Sequence, residues 1–154
     1  MDVPETNLGF LLHDTARLLR KRFEQKARAL GLTRAQWQVL ATLARNQGLH
    51  QGALADILEI EPITLVRILD RLQAAGLVER RLHATDRRLR LLHLTAAAHP
   101  ILAQIQELGR QTREEAFAGI AAEERARLLA ILLATRANLT APCVAEQEPE
   151  VSHG

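Results

Sequence analysis

Thr64, Arg67 and Arg71 stand three and four residues apart, the spacing that places side chains on one face of an α-helix. Further along, Arg80, Arg81, Arg87, Arg88 and Arg90 crowd into one short stretch against only Glu79 and Asp86. Guanidinium forks suit the recognition of nucleic acid. Arginine matches O6 and N7 of guanine bidentately, and a narrow A/T-rich minor groove concentrates the negative potential that an inserted arginine meets. Taken alone, a helix with this face is equally an ordinary amphipathic surface helix whose arginines are solvated. What surrounds it decides between the two.

The helix is bounded at both ends. Pro62 suits a first helical position, where its missing N–H costs nothing, and Gly76 suits the left-handed residue that closes a helix. Leu65, Ile68, Leu69, Leu72 and Ala75 form its apolar face, with Ile63 and Asp70 beside the arginines. Ahead of it, Leu54, Ile57 and Leu58 predict a short helix over 53–60, and Glu59 to Glu61 leave the tight break of a helix-turn-helix. Behind it, residues 77–94 predict an antiparallel hairpin. Thr85, Asp86, Arg87 and Arg88 fall at its tip, and Arg80, Arg81 and Arg90 on its stems. The alternation of the second strand breaks down at Leu92.

This order of helix, turn, helix, Gly-Leu-Val-Glu-Arg-Arg, Asp-Arg-Arg and Leu-Thr resembles the MarR/SlyA family of winged helix-turn-helix transcriptional regulators. The string Ile60-Glu61, Leu65-Val66-Arg67, Leu69-Asp70, Leu72 and Gly76-Leu77 is most similar to the SlyA branch, and the likeness spans residues 8–139. The resemblance implies a homodimer on a pseudo-palindromic double-stranded DNA site, with recognition helices in successive major grooves and wings in the flanking minor grooves. By position, Thr64 and Arg67 would read bases and Ile63 would offer apolar contact. Asp86 would pair within the chain and orient one of Arg87 and Arg88, leaving the other for the minor groove. SlyA relatives carry Gln-Pro-Ser where this chain has Pro62, Ile63 and Thr64, so the resemblance does not give the operator sequence. The DNA-binding set expected is therefore Ile63, Thr64, Arg67, Arg71, Arg87, Arg88 and Arg90.

The flanks are helical. Leu8, Leu11, Leu12, Leu18, Leu19 and Phe23 form a long apolar stripe closed by Gly31. Thr33 to Gln36 make a capping box, and Leu32 with Trp37 a hydrophobic staple. Thr95 is placed to cap a helix running to about Ile120 with a kink at Pro100, and Glu123 and Glu124 favour the start of a last helix bearing Leu128, Leu129, Ile131, Leu132 and Leu133. The fold class is thus mainly α: a winged helix-turn-helix core over 33–94, with terminal helices over 8–31 and 95–139 forming a dimerisation region. Together 1–139 make one domain, and 140–154 is read as a disordered tail.

Composition sets the outer limits. With 154 residues, 47% of them hydrophobic, the chain supports one modest core. The formal net charge is only +2 against an isoelectric point near 9.3. With no Tyr, one Cys, and Lys21 and Lys26 the only lysines, little titrates above neutrality, so the isoelectric point exaggerates the basic character. Placement of charge is what matters, and it lies in residues 67–90. No apolar run reaches membrane-spanning length and no leader follows Met1, so the expected location is cytoplasmic, on the nucleoid.

Catalytic and metal-binding groups are sparse. Ser152 is the sole serine, no phosphate-cradling glycine loop occurs, and Cys143 alone rules out a cysteine zinc cluster or an internal disulfide. Oxidation-sensing members of the resembled family carry a cysteine in the first helix; here there is none, and Cys143 reads as an incidental thiol. The scattered histidines lack metal spacing, so no enzyme, cofactor or metal is expected. Many relatives hold aromatic acids or other anions between dimer helices and DNA-binding lobe. His13, Arg17, Arg20, Arg34 and Trp37 occupy the matching region, Trp37 being equally a core residue and the arginines equally solvated. The reading is a sequence-specific DNA-binding regulator, possible effector control included. A winged-helix module that binds protein instead of DNA is the alternative.

Overall fold

The computed structural model describes residues 7–142. Among them, helix α1 (Leu8–Ala27) ends in a 3-10 turn (Arg28–Leu30) that Gly31 closes with φ +67°, its N–H bonding the Arg28 carbonyl. Helix α2 (Arg34–Arg45) starts where the capping box places it: the Gln36 N–H donates to the Thr33 hydroxyl, and the Thr33 N–H donates to the Gln36 side chain. Strand β1 (Leu49–His50), helix α3 (Gln51–Leu58), helix α4 (Pro62–Ala74), strand β2 (Val78–Leu82), strand β3 (Arg90–Leu94), helix α5 (Ala98–Ala116) and helix α6 (Ala122–Thr140) follow. The chain divides into two compact units between Ala116 and Phe117.

The first unit is a mainly helical winged helix, with a core supplied by every element from α1 to α5. Phe23 and Ala27 come from α1, Val39, Leu40 and Leu43 from α2, and Leu54 and Ala55 from α3. Leu65, Leu69 and Leu72 come from α4, Leu92 and Leu94 from β3, and Ala98, Leu102 and Ile105 from α5. Each fully buried leucine among them is worth roughly 1.5–3 kcal/mol over exposure, which is why α4 cannot roll about its axis. The sheet runs β1-β3-β2, all antiparallel, with Val78 opposite Leu94 and Leu82 opposite Arg90.

Several local expectations need correction. Helix α3 begins two residues early, because His50 caps it: its Nδ1 accepts the Ala53 N–H at 3.2 Å. Ile57 is 54% exposed and Ala55 takes the buried place beside Leu54. The sheet's third strand, β1, went unforeseen, being too short to show any alternation. Leu92 and Leu94 are both buried, so period two continues through β3 beyond the apparent break. Ala75 is exposed, since α4 has already ended there and the chain is turning away. Thr95 does not cap α5 with its side chain; its hydroxyl donates to the Gly76 carbonyl at 2.5 Å. Helix α5 stops at Ala116, and Pro100 falls third in it, where a lost N–H breaks no intrahelical bond and no kink is required. Leu8, Leu11, Leu12 and Leu18 of α1 are exposed, and only Phe23 of that stripe is buried.

In the second unit, Arg125 ties the start of α6 to the preceding turn, donating to the carbonyls of Ile120 and Phe117 at 2.9 and 2.7 Å. Leu128, Leu129, Ile131, Leu132 and Leu133 all remain exposed. Thr140 belongs to α6, not to the tail. The rest of the expected tail from residue 143, Cys143 included, lies outside the described residues.

Candidate nucleic-acid interface

Helix α4 is held at both ends and along its back. Pro62 is its first residue, and the Leu65 N–H reaches the Glu61 carbonyl at 3.0 Å. The preceding turn is set by Glu59, at φ +52°, while the Ile60 N–H returns to the Ala55 carbonyl at 3.1 Å. At the far end Gly76 adopts φ +74°. Its N–H bonds Gln73 and that of Leu77 bonds Leu72, both at 2.9 Å, in a Schellman closure. Burying Leu65, Leu69 and Leu72 turns the opposite face outward. Ile63 is 73% exposed, and Thr64, Arg67 and Arg71 are exposed with it.

The hairpin tip is ordered by side chains that accept backbone N–H groups. Nδ1 of His83 accepts from Thr85 at 3.2 Å and from Asp86 at 3.0 Å. Oδ1 of Asp86 accepts from the Arg88 backbone at 3.0 Å. Asp86 therefore meets Arg88 within the chain, through the Arg88 backbone N–H. Nη1 of Arg90 donates to the Arg87 carbonyl at 3.0 Å, so Arg90 braces the tip as well as adding charge. Arg81 pairs with Glu79 on its own strand. Arg80 is turned inward against Gln51, Asp70 and Gln73. Of the arginines on α4 and the hairpin, Arg67, Arg71, Arg87 and Arg88 have no carboxylate partner and donate no side-chain hydrogen bond within the described residues, and they are the cations this surface leaves to meet an anionic ligand.

Comparison with known proteins places this geometry. A sequence model of the MarR family matches residues 30–89, from the end of α1 through the wing tip. The crystal structure of transcriptional regulator PA3341 is 37% identical, covering 85% of this chain and 96% of its own, with a TM-score of 0.75. A MarR-family transcriptional regulator from Silicibacter pomeroyi is 31% identical over 88% of this chain and 92% of its own, with a TM-score of 0.74. The chain belongs to the MarR family. The transcriptional regulator SlyA, 22% identical over 86% of this chain and 94% of its own at a TM-score of 0.72, shares the fold. Members of the MarR family are transcriptional regulators, not enzymes, and this one is a winged-helix regulator of that kind.

In this MarR-family chain three of the residues expected around an effector, Arg17, Arg34 and Trp37, have partners within the chain. Trp37 faces Phe23, ring centroids 4.5 Å apart, and packs against the core, as its place in the staple allows. Arg17 is paired with Asp14 at 2.6 Å one turn away, and Arg34 with Glu24 at 3.1 Å. His13 is exposed and Arg20 half-buried on α1. Among the described residues no group of three His, Cys, Asp or Glu side chains could hold a metal, and no helix is long and apolar enough to cross a membrane.

Sequence reasoning missed two organising residues. His50 accepts a backbone N–H at the start of α3 and His83 accepts two in the turn that follows β2, roles that histidine spacing does not announce. Arg80 was counted with the wing cations although its contacts lie inside the lobe.

Proposed function

We propose that the protein binds a pseudo-palindromic double-stranded operator as a homodimer, α4 entering the major groove and the wing tip the adjacent minor groove. One observation carries this reading. The four unpaired arginines lie on two exposed elements, each anchored from behind by buried leucines or by backbone hydrogen bonds. Arg67 lies in the first half of α4, the part of a recognition helix that reaches base edges, with Ile63 and Thr64 beside it for a thymine methyl and a polar base edge. Arg87 and Arg88 sit where a narrow minor groove would hold them. Two copies related by a dyad would present α4 at grooves roughly 34–36 Å apart.

Selection of bound duplexes from a random pool tests this directly. The expected product is an inverted repeat with half-sites about one helical turn apart. Arg67→Ala should flatten the base preference at its contact, at a cost of about 1–3 kcal/mol for the preferred base pair. An unchanged motif would remove Arg67 from base reading. If no duplex is enriched and binding is indifferent to salt, the lobe is a protein-binding winged helix.

A further inference from the structure

Arg80 stands in the middle of β2, opposite the fully buried Leu92 of β3, so its backbone is tied to the core. Its side chain is only 18% exposed, and all three guanidinium nitrogens are engaged. Nε donates to Oε1 of Gln51 at 3.0 Å, Nη2 to Oδ1 of Asp70 at 2.8 Å, and Nη1 to the side-chain oxygen of Gln73. Gln51 opens α3, and Asp70 and Gln73 lie one turn apart in the second half of α4. One guanidinium thus joins the supporting helix, the recognition helix and the wing.

We propose that Arg80 is a positioning residue for DNA reading: it fixes the tilt of α4 against β2, so that Arg67 and the wing-tip arginines address neighbouring grooves at once. The inference rests on the DNA-binding function proposed above. The planar fork suits the task, since its donors diverge in one plane and the geometry they enforce is rigid, which a lysine ammonium cannot reproduce. It also accounts for Asp70. A carboxylate between Arg67 and Arg71 on a helix that approaches phosphates would repel them, yet Asp70 is 61% exposed and its charge is met by Arg80. Asp70 serves as an anchor for that guanidinium.

The sign of one substitution separates this role from ordinary electrostatics. Asp70→Asn removes a negative charge next to the DNA, so charge alone predicts tighter binding to every duplex. If Arg80 positions α4, the same change weakens the selected operator by about tenfold while random duplex binds no more weakly than before. Arg80→Ala should weaken the operator similarly, leave the salt slope on random duplex unchanged, and leave Asp70→Asn with no further effect when the two are combined. Gln73→Ala, which alters only an exposed amide partner, provides the same reading with a smaller loss should Arg80→Ala fail to fold. The inference is overturned if Arg80→Ala lowers the salt slope by about one and Asp70→Asn tightens operator and random duplex alike, the behaviour of a direct phosphate contact. A wild-type protein that enriches no duplex would sink the DNA-binding proposal itself. A wild type that enriches an operator, with variants whose effects simply add, would sink only the role of Arg80.

Discussion

His83 holds the wing tip by accepting hydrogen bonds, and the arginines there are placed by the backbone it organises. Its Nδ1 takes the N–H groups of Thr85 and Asp86, and the Asp86 carboxylate takes that of Arg88, so three donors of the turn are met by side chains of the turn itself. A hydrogen bond of this kind is worth about 1 kcal/mol net. His83→Ala should therefore leave the lobe folded while loosening its tip. Hydrogen exchange at Thr85 and Asp86 should accelerate about tenfold, and operator affinity should fall while α4's base preferences persist. Unchanged exchange at both amides would show that the turn is held by other means. The tip also shows why charge counts mislead: Arg81 is matched by Glu79 on the same strand, whereas Arg87 and Arg88 are left to solvent.

Elements with two agreeing local signals were legible, and those resting on one were not. The start of α2 is written in the capping box Thr33–Gln36 and in Leu32 with Trp37, and α4 is bounded by Pro62 and Gly76 together. Thr95 offered a single signal, and the Gly76 carbonyl competed successfully for its hydroxyl. Between α1 and α5, Glu115 receives Arg22 at 2.6 Å and Lys26 as a second partner, a link that no periodicity announces. The Lys26 and Arg22 hydrogen bonds hold the Glu115 carboxyl below its ordinary range. A carboxyl with a lowered folded pKa stabilises the fold above its unfolded value, and that stabilisation disappears as pH falls through the folded one. Glu115→Gln should accordingly lower the melting temperature at neutral pH, with the difference closing as acid protonates Glu115. Because the pair is exposed, the effect should also shrink in high salt. A difference that persists undiminished in acid would assign the loss to packing.

At the scale of the whole molecule, the apolar residues of α6 are the main unexplained surface. Leu128, Leu129, Ile131, Leu132 and Leu133 spread over roughly half the helix circumference at 100° per residue and are all exposed, as are Leu8, Leu11 and Leu12 of α1. A monomer gains nothing from displaying them, whereas a second copy would bury them, in keeping with the homodimer proposed above. Leu132→Glu should convert the dimer to monomer in light scattering, and operator affinity should collapse because the two half-sites are no longer bound together. A variant that keeps both its dimer mass and its affinity would place the interface elsewhere.

The helices, the capping box of α2, the turn and the hairpin could be read from the chain alone, because their signals lie in residue spacing and in cap and turn residues close along the sequence. Register of the arginine-bearing face followed too, since Leu65, Leu69 and Leu72 leave α4 one way to pack. Which arginines remain available was decided only by tertiary structure. Arg80 meets Gln51, Asp70 and Gln73 only after α3, α4 and β2 have packed, and Trp37 meets Phe23 only where α1 crosses α2. A guanidinium's partners depend on distances across the folded lobe, and those distances are properties of the packed core.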